Sequence, residues 1–200
     1  MLASSENFDR FAAQFQAGNR QLVSRVLVAD TQTPVSAYLK LAGDKSNCFL
    51  LESVEGGEVR GRFSVIGLDP DLIWRCRDGR AEINITPADD SGFQQESLVP
   101  LESLRALMRQ SEMPDTGDLP PMAAGLFGYL GYDMTRLIET IPNANQTAIE
   151  MDDSLLLRPA LIAIFDRLKD NITLVTQIRP NDWADAKSAW DDTQSRLATA

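Results

Sequence analysis

Four groups of residues in this chain are of types and spacings that could do chemistry. The first is the stretch LLESVEGGEVRGRF, Leu50 to Phe63, in which Glu52 and Ser53 end an apolar run and Arg60 and Arg62 open the next. Side chains alternate along a strand, so Glu52 and Ser53 point to opposite faces and reach one ligand together only where the strand ends or bends. The following Val54-Glu55-Gly56-Gly57 supplies such an ending. A carboxylate partly buried at a strand end needs a cation or several donors, because an unpaired buried charge is expensive. Arg60 or Arg62 would satisfy it as an ordinary ion pair, and so would the ammonium of a bound amino acid.

The second is GLFGYLGYD, with glycines at 125, 128 and 131 and aromatic residues between them. It lacks the Gly-Lys-Ser/Thr of a phosphate loop. Glycine inside an apolar strand instead marks a bulge or the close approach of another backbone. The third is the carboxylate set Glu150, Asp152 and Asp153, which lacks the order of a calcium-binding loop and reads as solvated loop charge. The fourth is the pair Cys48 and Cys76, without metal-ligand spacing and inside apolar runs, hence two buried reduced thiols.

Composition closes off several chemistries. The chain has 200 residues, 44% hydrophobic and 24% charged, the balance of an ordinary globular protein that needs neither disulfide nor metal to be compact. It contains no histidine, so nucleophilic triads, imidazole acid–base catalysis and histidine-ligated zinc are excluded within these residues. A net charge of −10 argues against nucleic acid as a partner. No signal-peptide pattern and no apolar run of membrane-spanning length is visible, so a cytoplasmic protein without membrane contact is expected.

The elements that must position these residues read as α+β, mostly antiparallel, with helices inserted between strand pairs. A helix is expected over 5–17, with Phe8, Phe11 and Phe15 on one face and Gly18 as its stop. A strand over 21–29 follows, then a helix capped by Thr33, opened by Pro34 and closed at Gly43. Strands are expected over 47–54 and 62–67, and a hairpin of 71–77 with 80–86 turns on Asp78-Gly79. Pro100 opens a helix through Met108, and residues 109–122, with three prolines, read as an internal loop. A strand over 123–130, a helical segment near 132–139, irregular chain over 141–153 and strands over 159–166 and 171–177 complete the sheet. A helix from Asn181 onward carries Asp182 and Asp185 in its first turn and Trp183 and Trp190 on one face.

FLLESVEGGEVRGRFSVIGLDP followed by GLFGYLGYDMTRLIE resembles the N-terminal domain of the anthranilate synthase component I family, over about residues 8 to 180. The second motif is shared with the related aminodeoxychorismate synthase component I. The resemblance implies the N-terminal portion of a β-sandwich fold whose catalytic, chorismate-binding region and Mg²⁺ ligands lie outside these 200 residues. It implies no catalytic residue here. It also implies that the complete subunit makes anthranilate and pyruvate from chorismate, with ammonia from a glutamine amidotransferase subunit. In tryptophan-regulated members the Leu-Leu-Glu-Ser segment lines the inhibitor pocket, which carries an effector role onto Leu51, Glu52 and Ser53, and more loosely onto Arg62. Two other readings stand beside this one: the matching part of aminodeoxychorismate synthase, and a free-standing amino-acid-binding module.

Overall fold

The structure is a computed structural model that describes residues 5–52, 61–87, 90–113, 116–142 and 150–200. It is α+β with antiparallel strand pairing throughout the registers described. The chain divides into two compact units, and two long strands contribute residues to both.

The first unit comprises Met1–Asp69, Met113–Ala124 and Ala160–Ala200. Strand β1 (Gln21–Val28) pairs with β8 (Asn171–Ile178) from Gln21 opposite Ile178 to Val28 opposite Asn171. β8 returns along the end of β7 (Ser154–Asp166), and β2 (Phe49–Glu52) pairs with the start of β3 (Phe63–Arg77). The strand order is β1-β8-β7-β3, with β2 on β3. One face carries Ile66, Leu68, Leu161, Ala163 and Leu174 against Ala37 and Ala42 of helix α2 (Pro34–Ala42) and Leu197 of helix α4 (Ala186–Thr199). Burying such side chains contributes about 1.5–3 kcal/mol each, which is what fixes the register. A second cluster joins α1 (Ser5–Gln16) to α4, where the Trp190 ring lies 5.1 Å from Phe11 and 5.9 Å from Phe8.

The second unit comprises Pro70–Glu112 and Gly125–Pro159. Here the end of β3 turns into β4 (Arg80–Asn84) through Asp78 and Gly79, both at positive φ as a two-residue hairpin loop requires. β4 pairs with the short β5 (Gln94–Gln95), and β6 (Phe127–Leu130) pairs with the start of β7. Helix α3 (Pro100–Ser111) packs Leu104 and Leu107 on Leu72, Trp74 and Cys76. The buried Trp74 indole donates to Ser103 Oγ at 2.9 Å, which removes the penalty of an unpaired N–H.

Several expectations need correction. Residues 62–67 and 71–77 are not two strands but parts of β3, which continues through Asp69 and Pro70. Asp69 takes a left-handed φ of 48°, and its carboxylate is held by Lys45 at 3.0 Å. The helix opened by Pro100 runs on to Ser111, so the loop begins later than 109. β6 starts at Phe127 instead of residue 123, and the 132–139 segment is a 3-10 turn, Tyr132–Leu137. The last helix begins at Ala186, because Asp185 is its N-cap and accepts from Ser188 N–H in a capping box. Trp183 therefore precedes that helix, although it packs with Trp190 on the same apolar cluster. Among the described residues no helix is long and apolar enough to cross a membrane.

Candidate functional site

Leu51 and Glu52 end β2, opposite Val65 and Ser64 of β3. Leu51 is half-exposed, at 52%. Glu52 is also exposed, and among the described residues it has no charged partner. The expectation of a partly buried carboxylate is thus corrected: water already solvates Glu52, and no cation is needed to hold it there. Ser53, Arg60 and the Gly56-Gly57 turn lie outside the described residues.

Arg62 has a different partner from the one its position in sequence suggests. Its Nε and Nη2 donate to the two carboxylate oxygens of Asp166 at 2.8 and 2.5 Å, a bidentate fork between the entry to β3 and the end of β7. Asp166 is buried at 4% exposure, and its Oδ1 also accepts from the Leu168 N–H. The hydrogen bonds from Arg62 come first in holding this carboxyl below its usual range, against burial, which acts the other way. The Arg62 guanidinium also lies 4.7 Å from the centre of the Phe63 ring.

This ion pair forms part of the wall of an open cleft of about 450 Å³, wholly within the first unit. Val26, Phe63, Leu119, Pro120 and Pro121 give it apolar walls, while Lys169, Asn171, Thr173 and Asp118 add polar groups. The structure therefore places Leu51 and Glu52 together at the end of β2, and Arg62 in this cleft, bound to Asp166. The part played by Asp166 and Lys169 went unread in the sequence, where the residues between β7 and β8 look like an ordinary turn. The available signal was an aspartate directly after the apolar run Leu161–Phe165, a position where a carboxylate is buried only with a partner.

The other three groups are structural. A Cβ on Gly128 would overlap the Leu155 carbonyl oxygen, and one on Gly131 would stand 2.5 Å from that of Asp153, so the glycines mark where β6 and β7 backbones meet closely. Asp152 and Asp153 are not simply solvated: Arg77 Nε donates to Asp152 at 2.5 Å, and Asp153 accepts from the Gly79 N–H at 3.4 Å. Cys76 is a buried free thiol, pushed up to about 11 by burial and then by the charge of Asp153. Cys48 is free but only half-buried. Those carboxylates are thereby engaged, and among the described residues no three metal-ligating side chains converge.

No protein-family model matches the chain. Its sequence is 43% identical over 195 residues to anthranilate synthase component 1 of Cereibacter sphaeroides, an alignment covering 97% of this chain and 39% of that protein. Proteins of the same name are 35% identical in Thermus thermophilus, over 83% of this chain and 34% of the relative, and 35% identical in Pseudomonas aeruginosa, over 96% and 38%. The fold matches a crystal structure of anthranilate synthase component I from Streptococcus pneumoniae TIGR4 with a TM-score of 0.55 at 21% identity, over 86% of this chain and 36% of that one. The chain thus spans less than two fifths of the length of each of these relatives.

Proposed function

Because this chain is homologous over nearly all its length to part of anthranilate synthase component I, we propose that it is the N-terminal, regulatory portion of such a subunit. The observation that carries the reading is the 43% identity over 195 residues. In this reading the full-length subunit is a lyase that converts chorismate and ammonia to anthranilate and pyruvate. The ammonia comes from glutamine through an amidotransferase partner, and the place of action is the cytoplasm. Mg²⁺ serves the chemistry from residues outside this chain. The residues described here do not fit such a site, since Asp152 is taken by Arg77 and Asp153 by Gly79.

The chain's own role is to bind L-tryptophan as a feedback inhibitor at Leu51, Glu52, Ser53 and Arg62. Glu52 suits the ammonium because it is exposed and has no charged partner among the described residues. Leu51, half-exposed beside it, offers apolar surface to the indole. Arg62 contributes more indirectly, since its Nε and Nη2 are already held by Asp166.

The test is tryptophan inhibition of the full-length subunit working with ammonia. Ser53→Phe should abolish inhibition and leave turnover largely intact. Glu52→Gln should remove a charge-assisted hydrogen bond and raise the inhibition constant roughly 10- to 150-fold. An unchanged inhibition constant in both variants ends the regulatory reading. The 200-residue chain alone should form no anthranilate from chorismate, ammonia and Mg²⁺, and anthranilate fluorescence above background would refute its assignment as non-catalytic.

A further inference from the structure

The cleft beside Arg62 has unmet hydrogen-bonding capacity on one side and apolar walls on the other. Asp166 accepts from Nε and Nη2 of Arg62, which leaves the two N–H bonds of Nη1 without a protein acceptor among the described residues. Lys169 is exposed at the turn between β7 and β8, with no carboxylate within ion-pair distance among the described residues. Thr173, only 5% exposed, and Asn171, two residues before it on β8, both line the cleft with polar side chains. These donors line the same cleft as Val26, Phe63, Leu119 and the Pro120-Pro121 turn.

Charge bookkeeping narrows what fits. Arg62 and Asp166 cancel, which leaves Lys169 as the unpaired cation of the cleft and Asp118, on the proline-bearing wall, as its unpaired anion. Any anion meets repulsion from Asp118, a dianion about twice as much as a monoanion, and an uncharged apolar molecule would leave the donors unsatisfied. A single carboxylate on an apolar or aromatic body satisfies both halves. A volume of about 450 Å³ lies within the range of small-molecule sites, roughly 300–1,000 Å³.

We propose that this cleft is a binding site for a small amphipathic monocarboxylate, its carboxylate on Lys169, Thr173 and the free Nη1 of Arg62, its body against Phe63 and Pro120-Pro121. The site shares Arg62 with the tryptophan reading and otherwise rests on Lys169, Thr173 and Phe63, which that reading does not use. The Arg62–Asp166 pair positions the remaining guanidinium N–H bonds.

Titration of the chain with benzoate, against its uncharged counterpart benzamide, followed by calorimetry or ligand-observed NMR, tests the proposal. Benzoate should bind at least about tenfold more tightly than benzamide, because a charge-assisted hydrogen bond is worth roughly twice a neutral one. Lys169→Met should weaken benzoate about tenfold and leave benzamide unchanged, whereas Lys169→Arg should retain binding. Thr173→Val, nearly isosteric, should weaken benzoate severalfold without moving the melting temperature. Equal affinity for the two probes, or a Lys169→Met variant that binds benzoate normally, overturns the proposal. Binding that survives Thr173→Val and Lys169→Met together would place any benzoate elsewhere, and overturns it as well.

Discussion

At the residue scale, the Arg62–Asp166 fork decides more than its place near the surface suggests. Asp166 is almost wholly buried while Arg62 is 30% exposed, so losing either partner strands one charge in a partly desolvated site. Arg62→Gln and Asp166→Asn should each lower Tm in thermal unfolding, because each leaves the partner charge without its bidentate hydrogen bonds. The sign with pH follows from the lowered folded value of Asp166. Its contribution is fully present above the unfolded carboxyl value of about 3.9, and it is lost as pH falls through the depressed folded one. Urea midpoints of the native chain and Asp166→Asn should therefore differ at pH 7 and converge well below pH 4. The thiols give a second prediction. Burial holds Cys76 at about 11, so at pH 8 only about one thiol in a thousand is the reactive thiolate. Alkylation of the native chain should label Cys48 first and reach Cys76 only on unfolding, as peptide mass mapping would show.

At the element scale, the contact between β6 and β7 depends on two missing side chains. A Cβ at Gly128 meets the Leu155 carbonyl, and one at Gly131 meets that of Asp153, both backbone atoms that cannot swing aside. Gly79, by contrast, sits at φ +69° in the β3–β4 hairpin with open space where a Cβ would go. Gly79→Ala should cost about 1 kcal/mol of backbone strain. Gly128→Ala should cost at least 3 kcal/mol by breaking the strand pairing, in the class of severe overpacking. Urea midpoints at constant slope rank the two, and equal losses would show that β6 adjusts freely.

What was legible in the sequence divides along the same line. Thr33-Pro34, Gly18 and Asp78-Gly79 announce their caps and turn because those signals are local. Thr33 is indeed the N-cap, and it accepts from Ser36 N–H in a capping box. The continuity of β3 was not legible, because Gly67, Asp69 and Pro70 carry turn chemistry and only pairing partners override it. The start of α4 was missed for a related reason: both Asn181 and Asp185 can cap, and the side-chain bond to Ser188 chooses the second. The Leu51-Glu52 end of β2 was legible as a pattern of types. The partner of Arg62 was not, since Asp166 is 104 residues away.

At the scale of the whole molecule, charge and exposed apolar surface oppose each other. In the second unit Tyr132 is 79% exposed, Ile138 73%, Met151 68% and Leu130 59%. Tyr132 and Ile138 lie six residues apart, at the start and just past the end of a turn of three-residue period, so they share one side. Leu130 stands opposite Ser154 at the end of β6, and the Gly131 N–H bonds to the Asp153 carbonyl, which brings the Met151 segment alongside. Apolar surface of this kind drives association, while a net charge of −10 repels a second copy. Salt weakens only the second effect: the Debye length falls from roughly 30 Å at 0.01 M to about 8 Å at 0.15 M. Sedimentation should therefore show a weight-average mass that rises with salt at fixed protein concentration. The double variant Tyr132→Ser, Ile138→Ser should abolish that rise and bind less hydrophobic dye, with Tm moving less than about 2 °C because neither side chain is buried. A mass that rises equally in the variant would move the driving surface elsewhere, to β1, which is an edge strand among the described residues and where Val26 and Val28 are also exposed.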